Sequence, residues 1–420
     1  MIRTFRYYLT RMFFVIAGLR VAKWYRYTEN FWNSSKEERK LTLENLLRTQ
    51  SLLNSDSIPV LSLDEIYGSP ILTKSRYREI NTKFSNRGSF ERKTSGTTGE
   101  PTKVPLSRDE LSRMLGVRDY CFRHYGIRLG EREARFWGRA EEGIKNRLKN
   151  FALNRKVCFP VGESAVASIS KVLSWKPDYL YGYGSLLLEA AALVEKHKIE
   201  FTPPELVICT AETITPAQKD YLARIFSAPV AEEYGATEFD ILAFECRKGH
   251  RHFVSPWILV RAKNGQLLVT DIARNSSNLV NYDIGDSGEI GNSECAMLGG
   301  PDYISVLEGR SIHRFVYLNP DIRFHSVDLA YAINAYQHSR REIFSFKFVQ
   351  SEYGAVDLYV SARPSAGTID LQQYIESEIR ARTGNNIVIY PHFAEKSNQK
   401  IEKSYFIQML QHPTRDAATL

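Results

Sequence analysis

Thr94-Ser95-Gly96-Thr97-Thr98-Gly99-Glu100-Pro101-Thr102-Lys103 is the stretch on which the reading of this 420-residue chain turns. Small hydroxyl residues interleaved with glycine let backbone amides and hydroxyls converge on phosphate oxygens, and Lys103 adds charge without bulk at the turn. The spacing of a Walker A loop is absent, so this would be a phosphate loop of another kind. Composition alone suits a surface loop equally well.

The flanking sequence supplies the scaffold. Ser107 to Gly126 reads as one helix: Ser107 and Glu110 have capping-box spacing, Leu111, Met114 and Leu115 share a face, and Gly126 closes the end. Strand, turn and helix recur downstream. The apolar run Leu206-Val207-Ile208-Cys209 precedes a helix opened by Thr215, Pro216 and Gln218, and Pro229 to Glu233 reads as a further strand. This alternation predicts an α/β fold with a large layered N-terminal domain and mostly parallel strands. Between Trp257 and Thr270, two apolar runs flanking Asn264-Gly265 predict a hairpin. Beyond Arg310 the pattern becomes β-β-α-β: Ile343 to Val349, a turn at Tyr353-Gly354, Val356 to Val360, a helix through Leu371, Tyr374, Ile375 and Ile379, then Ile387 to Tyr390. A small α+β C-terminal domain is expected. The boundaries are 1–30 for a basic N-terminal segment, 31–309 for the large domain and 310–420 for the small one, hinged near Gly309-Arg310.

The net charge of +8 is spread along the chain without a finger, homeodomain or RNP-type motif, so nucleic acid is not an expected partner. Five cysteines, odd in number and far apart, argue against a disulfide framework and for a reducing, cytoplasmic setting. The basic residues do cluster at the N-terminus, where Arg3, Arg6, Arg11, Arg20, Lys23 and Arg26 surround the apolar run Met12 to Leu19, with Tyr7, Tyr8, Trp24 and Tyr25 beside it. That run is too short to cross a bilayer and no secretory cleavage site follows. Two readings stand: a helix packed on the core, or a helix in peripheral contact with the inner membrane face.

Three segments together carry a resemblance. The glycine-rich stretch, then Glu233-Tyr234-Gly235-Ala236-Thr237-Glu238, then Thr270-Asp271 through Asn281-Tyr282-Asp283-Ile284-Gly285-Asp286 resemble, in order and spacing, the motifs of the adenylate-forming superfamily that includes acyl-CoA synthetases and luciferase. Leu72-Thr73-Lys74, Tyr181-Gly182-Tyr183-Gly184-Ser185 and Ala211-Glu212 narrow the likeness to phenylacetate-CoA ligase and its capsule-biosynthesis homologues, from about residue 30 onward.

The resemblance implies roles residue by residue. Ser95, Gly96, Thr97, Thr98, Gly99 and Lys103 would cradle the phosphates of ATP, Thr237 would touch the α-phosphate, and Glu238 would hold Mg²⁺, which takes few protein carboxylates. Tyr234 would stack on adenine beside Glu233, Ala211 and Glu212, with Gly235, Tyr183 and Ser185 near the acid. Asp286 offers two acceptor oxygens to the vicinal ribose hydroxyls. Lys400, in Ser397-Asn398-Gln399-Lys400-Ile401-Glu402-Lys403, would be the cation between the attacking carboxylate and the α-phosphate. Arg310 corresponds to the hinge arginine. Two departures stand out: Gln399 replaces a glycine, and Ser311-Ile312-His313 follow Arg310 where relatives carry acidic residues.

The implied activity converts a carboxylic acid and MgATP into acyl-AMP, then passes the acyl group to coenzyme A or to an amine, in polysaccharide or secondary-metabolite biosynthesis. The alternative is a non-catalytic nucleotide-binding or membrane-associated assembly protein that retains the fold. Some relatives carry a structural zinc near Cys246, His250, His252 and Cys295. Here the Cys-x-x-x-His-x-His spacing with one distant cysteine is weak, so zinc is not expected; free thiols and surface histidines are.

Overall fold

The computed structural model describes residues 2–53, 63–81, 90–93, 103–137, 143–160, 164–277, 279–293, 295, 298–310, 315–325, 327–342, 344, 346–360, 364–393 and 406–409. These fall into two compact units, Met1–Thr213 with Leu222–Leu307, and Ile214–Tyr221 with Glu308–Leu420.

The first unit opens with α1 (Ile2–Ile16), α2 (Val21–Asn33), α3 (Lys36–Leu53), α4 (Leu63–Gly68), α5 (Lys74–Asn81) and an antiparallel hairpin of β1 (Phe90–Lys93) and β2 (Lys103–Leu106). Helices and strands then alternate as α6 (Arg108–Arg123), β3 (Glu133–Phe136), α7 (Ile144–Ala152), β4 (Arg155–Cys158), α8 (Ala165–Leu173), β5 (Tyr179–Tyr183), α9 (Gly184–His197), β6 (Leu206–Thr210), α10 (Pro216–Phe226), of which only Leu222 onward counts with this unit, and β7 (Val230–Ala236). Six strands follow: β8 (Asp240–Glu245), β9 (Arg251–Phe253), β10 (Ile258–Lys263), β11 (Gln266–Asp271), β12 (Tyr282–Asn292) and β13 (Asp302–Arg310).

β3 to β13 build an 11-stranded sheet in the order β10-β11-β12-β13-β9-β8-β7-β6-β5-β3-β4. The half from β4 to β7 is parallel, and beyond β7 the β7–β8, β8–β9, β13–β9, β11–β12 and β10–β11 pairs are antiparallel. The fold is mixed α/β, in agreement with the alternation in the sequence, but the expectation of mostly parallel strands holds only from β4 to β7: after β7 the strands follow one another with no helix between them among the described residues, so no helical crossover sets them parallel.

Local chemistry explains several of these elements. Every residue of β6 is buried, as a strand covered on both faces requires, and each large apolar side chain such as Ile208 contributes roughly 1.5–3 kcal/mol. The Ser107 hydroxyl accepts from Glu110 N at 3.2 Å while Glu110 Oε2 accepts from Ser107 N at 2.7 Å, completing the anticipated capping box of α6. Asn264 and Gly265, at φ 52° and 75°, close the anticipated β10–β11 hairpin with Lys263 opposite Gln266.

At the N-terminus, α1 and α2 are separate helices joined through Gly18 at φ 73°. α2 packs against α6, where Trp24 Nε1 donates to Asp109 Oδ1 at 3.0 Å. α1 buries Tyr7, Thr10 and Phe14. The N-terminal segment therefore does pack on the core, in agreement with the first of the two readings.

The second unit holds a hairpin of β14 (Phe315–Tyr317) and β15 (Arg323–His325), then α11 (Val327–Arg340), β16 (Phe346–Gln350), β17 (Ala355–Val360), α12 (Thr368–Thr383), β18 (Val388–Phe393) and β19 (Phe406–Gln408). Its sheet runs β18-β17-β16-β19. Leu371, Ile375 and Ile379 of α12 pack with Phe348, Leu358 and Ile389. The β16-β17-α12-β18 portion matches the pattern read in the sequence; α11, the small hairpin and β19 add to it.

Candidate active site

In an open parallel sheet, ligands gather beyond the carboxyl ends of the strands, because adjacent loops diverge there. The carboxyl ends of β3, β5, β6 and β7 bring the singled-out residues of the first unit together. Trp137 follows β3, Tyr183 ends β5, Ala211 and Glu212 follow β6, and Tyr234 and Gly235 lie near the end of β7. Trp137 stacks on Tyr183 with ring centroids 4.0 Å apart, making an aromatic wall that the sequence did not announce. Glu212 Oε2 accepts from Ser185 N at 2.7 Å at the start of α9. Ala211 sits in the left-handed region at φ 64°, a strained conformation for alanine that turns the chain away from β6.

β7 ends in a bulge between Tyr234 and Gly235 where it pairs with β8. A side chain on Gly235 would collide with the Asp240 carbonyl oxygen, so this position requires glycine. The bulge leads into Thr237 and Glu238. Glu238 is buried at 5% exposure, its Oε1 accepts from the Tyr282 hydroxyl at 2.8 Å, and its backbone carbonyl accepts from Arg274.

Tyr282 is the first residue of β12. It packs edge-on against Tyr77 at 5.4 Å and belongs to a parallel bridge with Leu72 of the Leu72-Thr73-Lys74 segment. Four residues later Asp286 Oδ2 accepts from the Tyr234 hydroxyl at 2.8 Å. Burial and the Asp286 carboxylate both raise the Tyr234 phenol well above its usual pKa, so it stays a hydrogen-bond donor. The second and third motifs thus meet through side chains 52 positions apart.

A buried polar network lies beside them. Glu233 Oε1 accepts from the Tyr181 hydroxyl at 2.6 Å, Thr210 Oγ1 at 3.3 Å and Arg118 Nη2 at 3.3 Å. Burial raises the Glu233 pKa in spite of Arg118. Arg118 also pairs with Asp240 at 3.4 Å, and Arg92 of β1 donates to Asp240 Oδ1 at 2.8 Å. Burial alone would raise Asp240; Arg118 and Arg92 instead hold it down at about 2. Arg92 ties the hairpin base to the residue two positions after Glu238.

Lys103 Nζ stands 3.8 Å from Glu91 Oε2 across the same hairpin. Ser95, Gly96, Thr97, Thr98 and Gly99 lie outside the described residues, as does Lys400. Arg310 closes β13, and its side chain also falls outside the description. Arg118, Arg92 and Trp137 were missed in the sequence because each is a lone residue in its local context; Tyr282 stands inside the third segment, but nothing local shows that it reaches Glu238.

A second cluster forms where β8, β9 and the segment after β12 converge. Ligand atoms of Cys246, His250, His252 and Cys295 all lie within 4.8 Å of one another. The Cys246 and Cys295 sulfurs are 3.8 Å apart, and two thiolates each roughly 2.3 Å from a tetrahedral zinc would be about 3.8 Å apart. His252 Nδ1–H donates to the Gly300 carbonyl at 2.7 Å, which leaves Nε2 as the free lone pair. That Nε2 is buried without a partner. The expectation of surface histidines fails for His252, which is 0% exposed. The donor set fits zinc, against the expectation drawn from the weak spacing; the long sequence gap to Cys295 is closed by the fold.

Comparison with known proteins agrees with this architecture. No protein-family model matches the chain. A crystal structure of 2-hydroxyisobutyryl-CoA ligase in the postadenylation state, in complex with R3-HIB-AMP, superimposes with a TM-score of 0.63 at 14% identity, covering 92% of this chain and 88% of that one. The anthranilate CoA ligase AuaEII in complex with anthranoyl-AMP gives 0.51 at 14% identity, covering 73% and 64%. Protein CapK of Staphylococcus aureus is 23% identical over 387 residues, 88% of this chain and 84% of that protein. The chain has the fold of the adenylate-forming ligases.

Proposed function

We propose that this protein is an AMP-forming ligase that activates a carboxylic acid with ATP and transfers the acyl group to a second substrate. The Tyr234–Asp286 hydrogen bond beside the Glu238 turn carries the reading, since it joins two motif segments at the carboxyl edge of the parallel strands.

In the first half-reaction a carboxylate oxygen of the acid bonds to the α-phosphorus of ATP and the bond to the bridging oxygen breaks, releasing pyrophosphate. Asp286 binds the ribose hydroxyls, oriented by Tyr234, and Tyr234 presents its ring to adenine. Glu238, fixed by Tyr282, has the carboxylate chemistry to hold Mg²⁺; when bound, that ion neutralises charge on the phosphate oxygens. Lys400, from the 310–420 domain, stabilises the charge that develops on attack. In the second half-reaction a thiol or amine bonds to the acyl carbon, AMP leaves and the nucleophile gives up its proton. The acceptor is coenzyme A or an amine. The acid lies against Trp137, Tyr183, Ser185 and Gly235, a wall with one broad aromatic surface.

ATP–pyrophosphate exchange over a panel of aryl, fatty and amino acids tests this. Exchange with one acid class supports the reading, and none with any acid favours a non-catalytic nucleotide-binding protein.

We further propose that Cys246, His250, His252 and Cys295 hold a structural Zn²⁺ that pins β8, β9 and the segment after β12 together. The carrying observation is the buried, unpartnered His252 Nε2.

A further inference from the structure

On the first unit, α1 is buried along one side only. On the other, Phe5, Tyr8, Met12, Val15 and Ile16 are exposed, Ile16 at 72%. α7 lies in contact with α1 and exposes Ile144, Leu148 and Phe151, spaced i, i+4 and i+7, with Ile144 at 77%. The two faces meet where the Arg6 guanidinium lies 4.1 Å from the Phe151 ring centroid and donates to the Phe151 carbonyl at 2.7 Å.

Charge on these helices has one sign. α1 carries Arg3, Arg6 and Arg11, α7 carries Lys145, Arg147 and Lys149, and neither contains an acidic residue. Glu141 and Glu142, ahead of α7, lie outside the described residues. A cavity of about 600 Å³ opens at the junction, lined by Arg6, Arg132, Phe151, Arg155, Lys156 and Trp175 among others. Asp178 and Glu133 already pair with Arg132 and Arg155. Arg6 and Lys156 instead face rings, Lys156 4.8 Å from the Trp175 centroid, and neither forms an ion pair among the described residues. Burial lowers the pKa of both, with Lys171 adding to the effect at Lys156.

We propose that α1 and α7 together form a docking face for an anionic phospholipid bilayer, with the apolar side chains entering the headgroup boundary and Arg6 and Lys156 receiving lipid phosphates. An amphipathic face with basic anchors binds in the interface plane through apolar area plus attraction to anionic lipid. No described helix is long and apolar enough to cross the membrane, so the contact is peripheral. A second copy of the chain is the poorer occupant: a two-fold interface would set this basic face against its own likeness.

The test is co-sedimentation of the full chain with vesicles of phosphatidylcholine alone and of phosphatidylcholine with phosphatidylglycerol, at low and high salt. Wild type is expected in the pellet only with the anionic vesicles, released by salt, and Ile144→Glu/Leu148→Glu should lower the bound fraction about tenfold. Both positions are exposed, and circular dichroism checks that the variant folds; Arg147→Glu/Lys149→Glu is the second variant. Wild type remaining in the supernatant with anionic vesicles overturns the proposal, as does a folded variant that pellets like wild type. A dimer in sedimentation velocity that the variant dissociates, without vesicle binding, assigns the face to a second copy instead.

Discussion

The Tyr234 hydroxyl donates to Asp286 Oδ2 at 2.8 Å, so the residue read as the adenine platform and the residue read as the ribose acceptor hold one another in place. A carboxylate fixed by a phenol loses less rotamer entropy when it binds a diol than a free one would. Removing the phenol should therefore be felt in nucleotide binding before it is felt in chemistry. Tyr234→Phe is expected to weaken ATP binding on the order of tenfold, the cost of a hydrogen bond to a charged group, and Asp286→Ala at least as much. Isothermal titration with ATP checks this; unchanged affinity in both variants would separate the pair from nucleotide recognition.

Gly235→Ala tests the bulge. The added methyl meets the Asp240 carbonyl, so β7 and β8 must part locally and the Arg92–Asp240–Arg118 arrangement shifts with them. Overpacking of this kind costs roughly 1–3 kcal/mol. A lowered urea midpoint with impaired ATP binding is expected; a midpoint equal to wild type would show that the bulge tolerates a side chain.

Acid stability follows from two depressed carboxylates. Burial would raise Glu133, but Arg135 and Arg155 hold it down from 4.5 to about 2, and Asp240 is held down from 3.8 to about 2. A carboxylate with a lowered folded-state pKa contributes stability that is complete above its unfolded pKa and is lost as pH falls through the folded value. Stability from urea unfolding should fall between about pH 4.5 and 2, and Glu133→Gln should make that slope shallower. An identical slope in the variant would remove Glu133 from the account.

For the zinc cluster, protein purified without a histidine tag should contain stoichiometric zinc by mass spectrometry, and Cys246→Ser or His252→Ala should lose it together with several degrees of thermal stability. Metal-free protein that melts at the same temperature as the variants would return the four residues to ordinary packing.

Much of this molecule was legible in the sequence because the decisive signals were local. The Ser107–Glu110 capping box, the apolar Leu206–Cys209 run of β6 and the Asn264-Gly265 turn each depend on residues within a few positions of one another. What remained hidden was created by topology. Cys295 reaches Cys246 across 49 positions, Arg92 reaches Asp240 across 148, and the exposed side of α7 gains its meaning only beside α1. The lining of the proposed acid pocket was hidden likewise, since Trp137 comes to Tyr183 only through the adjacency of β3 and β5.

The most direct test of the proposed chemistry is ATP–pyrophosphate exchange with a responsive acid, measured in wild type and Lys400→Ala together with ATP affinity. Lys400 acts on charge that develops only during attack, so the variant should lose exchange by about a thousandfold or more while binding ATP nearly as well as wild type. Exchange at the wild-type rate in Lys400→Ala would contradict the assignment of the catalytic cation, and with it the mechanism.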